Sequence, residues 1–266
     1  MHYIDNGPWA GNSEDLAETL RAYAKRYEGE EGVCIRGPFA IDVTHKTLTQ
    51  RALPKRYLDA ELRWFHTDSD NIVDLAREYG QVPVEWRRVA APDGTINGQY
   101  GWCIWSPETG YQYRQALSCL KSRADREGTA SRRAVMVYTH RHFREWAGRR
   151  GAQDPMCTVS AQVLWAAPGR MTYVANMRAT DVIFGYTADT AWHRHVITRH
   201  LLPDLGREWQ VMSPRLVLVS NSLQIYKEWM VHAANSTSIG ERYEFEGAET
   251  CDVPGDYDNS LKGFRA

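Results

Sequence analysis

The stretch TVSAQVLWAAPGRMTYVANMRATDVIFGYTADTAWHRHVITRHLL (Thr158–Leu202) decides the fold class. Its first half is rich in strand-forming residues on either side of Pro168–Gly169, which predicts a β-hairpin. Its second half has apolar residues at helical spacing, which predicts the longest buried helix of the chain, with Gly185 near its start. A hairpin followed by a helix, without regular βαβ alternation, indicates an α+β protein with helices covering a mixed β-sheet.

The remaining sequence shows the same mixture of patterns. Residues Ser13 to Glu28 predict an opening helix with Ser13 as N-cap, and GVCIRGPFAIDVT (32–44) predicts a strand pair. Further helices are predicted at 53–66, 71–80 and 109–123, and further strands at 132–140 and within 214–229. A chain of 266 residues without an internal repeat predicts one domain, residues 1–266.

The composition and charge of the chain indicate which binding partners to expect. The 32 basic and 33 acidic residues give a net charge of -1, so no overall attraction to nucleic acid or to an anionic membrane is expected. No apolar run approaches the roughly 20 residues that span a bilayer. The opening sequence is polar and acidic, unlike a signal peptide. We therefore expect a cytoplasmic protein without a nucleic-acid or membrane partner.

The cysteines are scattered, odd in number and without a C-x-x-C pair, so neither a disulfide framework nor a metal site is expected. They are Cys34, Cys103, Cys119, Cys157 and Cys251. Cys157 follows the sequence DPM and leads directly into a predicted strand. It is either a packed core residue or a nucleophile, and nearby positive charge would favour the nucleophile by lowering the pKa of its thiol.

Four arginines could supply that charge and bind a phosphate. Arg132 and Arg133 form a tandem pair before a strand, Arg36 lies in CIRGP, and Arg178 lies at the end of the predicted hairpin. Arginine suits bidentate recognition of phosphate. The alternative for each one alone is a solvated surface residue.

Three acids lie among apolar and aromatic residues. Asp181 and Asp189 are eight residues apart, near one face if their segment is helical, and Arg178 is at ion-pair spacing from Asp181. Glu61 is flanked by large apolar side chains, which would raise its pKa. A buried carboxylate must be paired, hydrogen-bonded or used, so these acids are either structural or part of a ligand site.

These pieces occur in the order found in thymidylate synthases and the related pyrimidine-nucleotide hydroxymethylases, which the chain resembles from about Arg36 to Tyr226. The resemblance lies in AELRWFHTDSDNIVDL, INGQYGWCIW, SRR, DPMC, MRATDVIFGYTAD and SLQIY. It implies a thymidylate synthase-like fold and a homodimer formed through the sheet, in which Arg132 and Arg133 reach the partner's site. It also implies 5,10-methylenetetrahydrofolate as co-substrate.

The resemblance implies a role for each matching residue. The roles are catalysis for Cys157, Glu61, Asp189 and Tyr100; phosphate binding for Arg36, Arg132, Arg133 and Arg178; sugar binding at Ala179, Gln224 and Tyr226; and folate binding for Asp181 and Trp86. Three positions depart from the pattern: Ala179 replaces a serine, Gln224 replaces the sugar-site histidine, and Thr158 replaces the histidine after the nucleophile. The first two changes leave open whether the sugar is ribose or deoxyribose.

Asp189 indicates the branch of the family. Thymidylate synthases have an asparagine there, which offers a donor and an acceptor to uracil, whereas an ionised aspartate only accepts. A carboxylate suits the amino group of cytosine and opposes the uracil carbonyl. The same substitution marks the deoxycytidylate hydroxymethylases. The resemblance thus implies hydroxymethylation of CMP or dCMP; the alternatives are a methyltransferase acting on dUMP or dCMP and a non-catalytic nucleotide-binding protein.

Overall fold

The computed structural model describes residues 1–44, 46–48, 54–67, 69–122, 132–139, 156–167, 169–206, 209, 211, 214–236 and 238–240. The strands are β1 (His2–Asp5), β2 (Trp9–Asn12), β3 (Gly32–Asp42), β4 (Lys46–Leu48), β5 (Val135–Val137), β6 (Thr158–Ala167), β7 (Arg170–Met177), β8 (Thr180–Asp181), β9 (Arg215–Tyr226) and β10 (Ser238–Gly240). The α-helices are α1 (Ser13–Arg26), α2 (Lys55–Phe65), α3 (Ile72–Tyr79), α4 (Val84–Val89), α5 (Tyr100–Trp105), α6 (Gln112–Lys121), α7 (Gly185–His195), α8 (Leu202–Leu205) and α9 (Met230–Ala234).

Eight strands of the described part of the chain form one mixed sheet, which confirms the predicted fold class. The order is β1-β3-β9-β7-β6-β5, with β2 also paired to β3 and β8 also paired to β9. β7 and β9 are parallel, whereas β6 is antiparallel to β7, as the predicted hairpin requires. β4 and β10 form a separate antiparallel pair.

The core lies between one face of the sheet and the helices. Alternate residues of β7 are buried, including Tyr173, and they share a hydrophobic core with Trp192 of α7 and Leu16 of α1. The alternation has the period of two expected for a strand that packs on one face only. α1 begins where the side chain of Asn12 accepts from the backbone N–H groups of Glu14 and Asp15.

Two local predictions were wrong. The N-cap of α1 is Asn12, and Ser13 is instead a buried helical residue whose hydroxyl contacts that of Tyr186 at 3.2 Å. The segment 32–44 is not a strand pair but one long strand, β3, with an irregularity between Arg36 and Phe39. Gly37 has φ +145° there, which a glycine adopts without strain, so the chain bulges instead of turning back.

α7 continues without a break into a π-helix at Val196–Leu201 and then into α8. The run from 185 to 205 is the longest helical segment of the described residues, as predicted, and Gly185 is its first residue. Asp181 precedes it in β8, so the helical spacing proposed for Arg178 and Asp181 does not apply. None of the helices among the described residues has the length and apolar character needed to cross a membrane.

Candidate active site

Strand direction brings the predicted nucleophile to one edge of the sheet. Cys157 immediately precedes β6, and Arg178 immediately follows β7, which runs the opposite way, so the two residues meet. The backbone N–H of Arg178 donates to the carbonyl oxygen of Cys157 at 2.9 Å. β9 runs parallel to β7 and ends at Tyr226, while Asp181 in β8 pairs with Gln224 of β9. Five residues predicted for the site therefore lie at the same edge.

Asp189 reaches this edge from α7 and is tied to it by Tyr100. The Tyr100 hydroxyl donates to Oδ1 of Asp189 at 2.8 Å and accepts from the backbone N–H of Thr158 at 3.3 Å. Asp189 is only 6% exposed, and its Oδ2 has no hydrogen-bond partner among the described residues. Burial raises the pKa of Asp189 to about 7, and the hydrogen bond from Tyr100 opposes this shift.

Glu61 is the second buried carboxyl group of the site. It is 4% exposed on α2. Its Oε1 accepts from the hydroxyl of Tyr57, four residues earlier, and from the indole N–H of Trp86 at 3.1 Å. Burial raises the pKa of Glu61 to about 7, and these two donors oppose the shift. Glu61 can thus gain or lose a proton near neutral pH, as a general acid or base must.

Glu61 lines a cleft of about 530 Å³, and Asp189 lies behind the lining residue Gly185. The cleft lining includes Glu61, Trp86, Phe184 and Gly185. Gly185 separates this cleft from Asp189, because a Cβ on the glycine would lie 3.7 Å from Oδ2 of Asp189. The aromatic walls and the acids are suited to a flat heterocycle with polar edges.

Asp181 has a structural contact that the sequence did not predict. Its Oδ1 accepts from the backbone N–H groups of Ile183 at 2.7 Å and Phe184 at 2.9 Å, just before α7 begins. Burial raises the pKa of Asp181 in spite of these two bonds. The acid therefore fixes the turn that leads into α7, the helix of Asp189.

The predicted sugar residues form a small group beside the nucleophile. The Tyr226 hydroxyl donates to Oε1 of Gln224 at 2.9 Å, which fixes the position of the phenol. Burial is the largest cause that raises the pKa of Tyr226. The charges of Asp181 and Cys157 raise it further. Ala179 is buried and brings no hydroxyl group.

The predicted phosphate-binding arginines do not all come together within one chain. Arg178 is exposed at the site edge, where its Nε donates to the carbonyl oxygen of Met156 at 3.0 Å. Arg36 is exposed on β3 and forms an ion pair with Asp5, Nε to Oδ1 at 3.0 Å. Such surface pairs contribute only about 0–1 kcal/mol, so a phosphate could displace Asp5.

Arg132 and Arg133 lie near the other end of β6. The carbonyl oxygen of Ala134, the next residue, accepts from the N–H of Val163. Val163 is six residues from Cys157, which corresponds to about 20 Å along an extended strand. Both arginines are exposed. Their own chain therefore does not bring them to the nucleophile.

The sequence analysis did not predict a buried chain of hydrogen-bonded side chains that begins at Thr158, the residue after the nucleophile. Thr158 Oγ1 lies 3.1 Å from Nε2 of His193, and Nδ1 of His193 lies 3.2 Å from the hydroxyl of Tyr173. Burial lowers the pKa of His193 to about 3, so this imidazole is neutral. The three residues are far apart in sequence, and only the replacement of histidine by Thr158 could have drawn attention to them.

The architecture and the edge site together define the thymidylate synthase fold. A thermostable thymidylate synthase A from Bacillus subtilis superposes with a TM-score of 0.55 over 82% of each chain, at 14% sequence identity. No protein-family model matches the sequence.

Sequence comparison finds relatives among the hydroxymethyltransferases. The deoxycytidylate 5-hydroxymethyltransferases of Enterobacteria phages T4, T2 and T6 are each 36% identical to this chain over 155 residues. The match covers 58% of this chain and 59% of each phage protein, and so spans less than two thirds of these relatives. The resemblance inferred from the motifs is confirmed in both sequence and fold.

Proposed function

We propose that this protein is a cytidylate 5-hydroxymethylase, which transfers a one-carbon unit to carbon 5 of CMP or dCMP and adds water to give the 5-hydroxymethyl nucleotide. The observation that carries the proposal is the state of Asp189. One of its oxygens accepts from Tyr100, and the other is buried beside Gly185 without a hydrogen-bond partner among the described residues. A buried acceptor without a donor costs about 1–3 kcal/mol, which a ligand with a matching donor would recover.

Cytosine has that donor in its exocyclic amino group, whereas uracil has a carbonyl oxygen at the same position. An ionised Asp189 would repel the uracil carbonyl, so the site would reject uracil through an unpaired charge as well as a lost hydrogen bond. The pKa of about 7 adds a chemical role. A protonated Asp189 can share its proton with ring nitrogen 3 of cytosine and so stabilise the charge that develops when a nucleophile adds to the ring.

Cys157 would be that nucleophile. Its thiolate adds to carbon 6, a C–S bond forms, and the electron pair of the 5,6 double bond makes carbon 5 nucleophilic. After carbon 5 has bonded to the one-carbon unit, it would lose its proton as the bond from that unit to the folate nitrogen breaks, so that tetrahydrofolate leaves and an exocyclic methylene group remains on the ring. Water then adds to the resulting exocyclic methylene group, and departure of the thiolate restores the aromatic ring. Glu61 at the cleft wall is placed to receive and return protons in these steps.

The cleft of Trp86 and Glu61 fits a reduced folate because it is aromatic, has acids at its edge and measures about 530 Å³. When bound, 5,10-methylenetetrahydrofolate would supply the methylene carbon. Trp86 would contact the pterin ring and Asp181 would accept from its N–H groups. Trp86 also donates to Glu61, so it can position the proton-transfer group for the bound co-substrate.

Phosphate binding is proposed to need two chains. Arg36 and Arg178 would bind the phosphate from the same chain, and Arg132 and Arg133 of the partner subunit would complete the site. Two observations support a homodimer: the tandem arginines are exposed, and they lie about 20 Å from their own nucleophile. Mixing Cys157→Ala and Arg133→Ala proteins tests this, because each mixed dimer would regain one intact site. Absence of any recovered activity on mixing would contradict the shared site.

The reaction is tested by incubating the enzyme with methylenetetrahydrofolate and, separately, CMP, dCMP and dUMP. We expect a hydroxymethyl product, identified by mass, from a cytidine nucleotide and none from dUMP; the better of CMP and dCMP identifies the sugar. A methyl product with release of dihydrofolate, followed by absorbance, would support the methyltransferase alternative and contradict the proposal.

Cys157→Ala should bind nucleotide without turnover. The matched control is Cys119→Ala, because Cys119 is a free and partly buried cysteine on α6. Turnover by Cys157→Ala would remove the proposed nucleophile.

A further inference from the structure

Three histidines converge at the far end of the two helices that hold the catalytic acids. They are His66, His195 and His200, and one ring nitrogen of each lies within 4.8 Å of those of the other two. Nε2 of His66 lies 2.6 Å from Nε2 of His195 and 3.4 Å from Nε2 of His200. No fourth histidine, cysteine or acid of the described residues belongs to this group.

The backbone has an unusual feature at this point. His195 is the last residue of α7, and His200 lies in the π-helix that follows it. In an α-helix, with 3.6 residues per turn, two residues five positions apart point in directions about 140° apart. The wider π turn, with i→i+5 bonds, brings them onto the same side. π-helices are rare and are frequently found at functional sites.

The three imidazoles are partly buried, and two of them pack against an aromatic ring. Each of the three rings is half-buried. Trp105 stacks on His66 with ring centroids 4.6 Å apart and packs on His200 at 4.9 Å. A neutral imidazole has one N–H and one lone pair, so the Nε2 atoms of three rings cannot all pair well with one another.

We propose that His66, His195 and His200 bind a divalent transition-metal ion of the zinc class through their Nε2 atoms, with water in the fourth position. Three imidazoles without thiolate or carboxylate suit zinc, copper, nickel or cobalt and do not suit magnesium or calcium. Tetrahedral Zn–N bonds of about 2.0–2.1 Å imply N–N separations of about 3.3 Å. The His66–His200 pair already has that separation, and the His66–His195 pair needs to widen by less than about 1 Å.

The site would join the two helices that carry Glu61 and Asp189. His66 caps the C-terminus of α2 five residues after Glu61, which is about 7.5 Å along the helix axis. His195 lies six residues after Asp189 on α7, or about 9 Å. The metal is thus a structural clamp that sets the distance between the two acids, and it is independent of the identity of the substrate.

Cobalt tests the site directly, because tetrahedral Co²⁺ absorbs visible light strongly. Untagged protein treated with chelator and then titrated with Co²⁺ should bind one equivalent with this spectrum, and Zn²⁺ should displace it and raise the Tm. His66→Gln and His200→Gln should weaken metal binding by at least about 100-fold, since loss of even an outer partner of a metal ligand costs about 10–100-fold. His2→Gln, at an exposed histidine of β1, should bind as the wild type does. Failure of the wild-type protein to bind Co²⁺ or Zn²⁺ saturably would overturn the proposal.

A second measurement covers variants that fail to fold. The proton NMR spectrum of the wild-type Co²⁺ protein should show three exchangeable, paramagnetically shifted imidazole N–H signals, one per ligand. Fewer than three would overturn the assignment. Hydroxymethylation at an unchanged rate after the metal has been removed would overturn the clamp but not the proposed function, so the two proposals can fail separately.

Discussion

Asp189→Asn should make the unliganded protein more stable at alkaline pH and change its stability less in acid. The ordinary pKa of 3.8 applies to Asp189 in the unfolded chain, and burial raises it to about 7 in the folded one. Between these values the folded state binds more protons than the unfolded state. Stability from this group is therefore greatest below about pH 4 and is lost as the pH rises to about 7. Asparagine keeps the acceptor for Tyr100 and has no charge to bury.

The magnitude follows from the pKa shift. At about 1.4 kcal/mol per pH unit, the raised pKa of Asp189 costs the folded state about 4 kcal/mol near pH 8, where the group is ionised, and about 1.5 kcal/mol near pH 5, where it must take up a proton on folding. The new amide adds the same offset at both pH values. The pH-dependent part of the stability change is thus roughly 3 kcal/mol.

Urea unfolding of both proteins near pH 5 and near pH 8 measures this difference. Asp59→Asn is the matched control, because Asp59 forms a surface pair with Lys55 and its side chain is 41% exposed. The control should differ from the wild type by a similar, small amount at the two pH values. Equal stability changes for Asp189→Asn at both pH values would refute the claim that a buried carboxylate is carried in the site.

Three further changes test other parts of the site. Glu61→Gln should lower kcat by about 10²–10⁴ and remove the pH dependence near 7 that the raised pKa of Glu61 would produce; an unchanged pH–rate profile would contradict its role. Thr158→Val should destabilise the fold by about 1–3 kcal/mol in urea, because it leaves the buried Nε2 of His193 without its hydroxyl partner; Thr198→Val is the control on a half-buried helix position. Gly101→Ala should prevent folding at ordinary temperature, seen by circular dichroism, because its Cβ would overlap the carbonyl oxygen of Phe65.

The parts of the fold set by local patterns were predicted from the sequence. The β6–β7 hairpin, α2 and α7 were all found, because their apolar periods extend over many residues. The bulge in β3 was mistaken for a turn because Gly37-Pro38 also marks hairpins. It stays a single strand because β1 pairs with its first half and β2 with its second, contacts that no local pattern shows.

The candidate site could be predicted only where a motif marked it. Cys157, the acids, Tyr100 and Trp86 were predicted from the resemblance, but the hydrogen bonds that Trp86 and Tyr100 donate to the acids were not, since each joins residues from two different helices. No sequence pattern predicted the histidine cluster. His66 is 129 residues from His195, and the π-helix that turns His200 towards them has no recognised sequence pattern.

The hydroxyl of Tyr100 has one further consequence, which concerns where a proton can reside. It accepts the N–H of Thr158 on a lone pair and has a single hydrogen, which it gives to Oδ1 of Asp189. Oδ1 is thereby restricted to accepting. When Asp189 is in its acid form, the proton must sit on Oδ2, the oxygen beside Gly185. The phenol thus makes the two carboxyl oxygens chemically unequal before any ligand arrives and places the acidic hydrogen on the side of Gly185, a residue that lines the cleft.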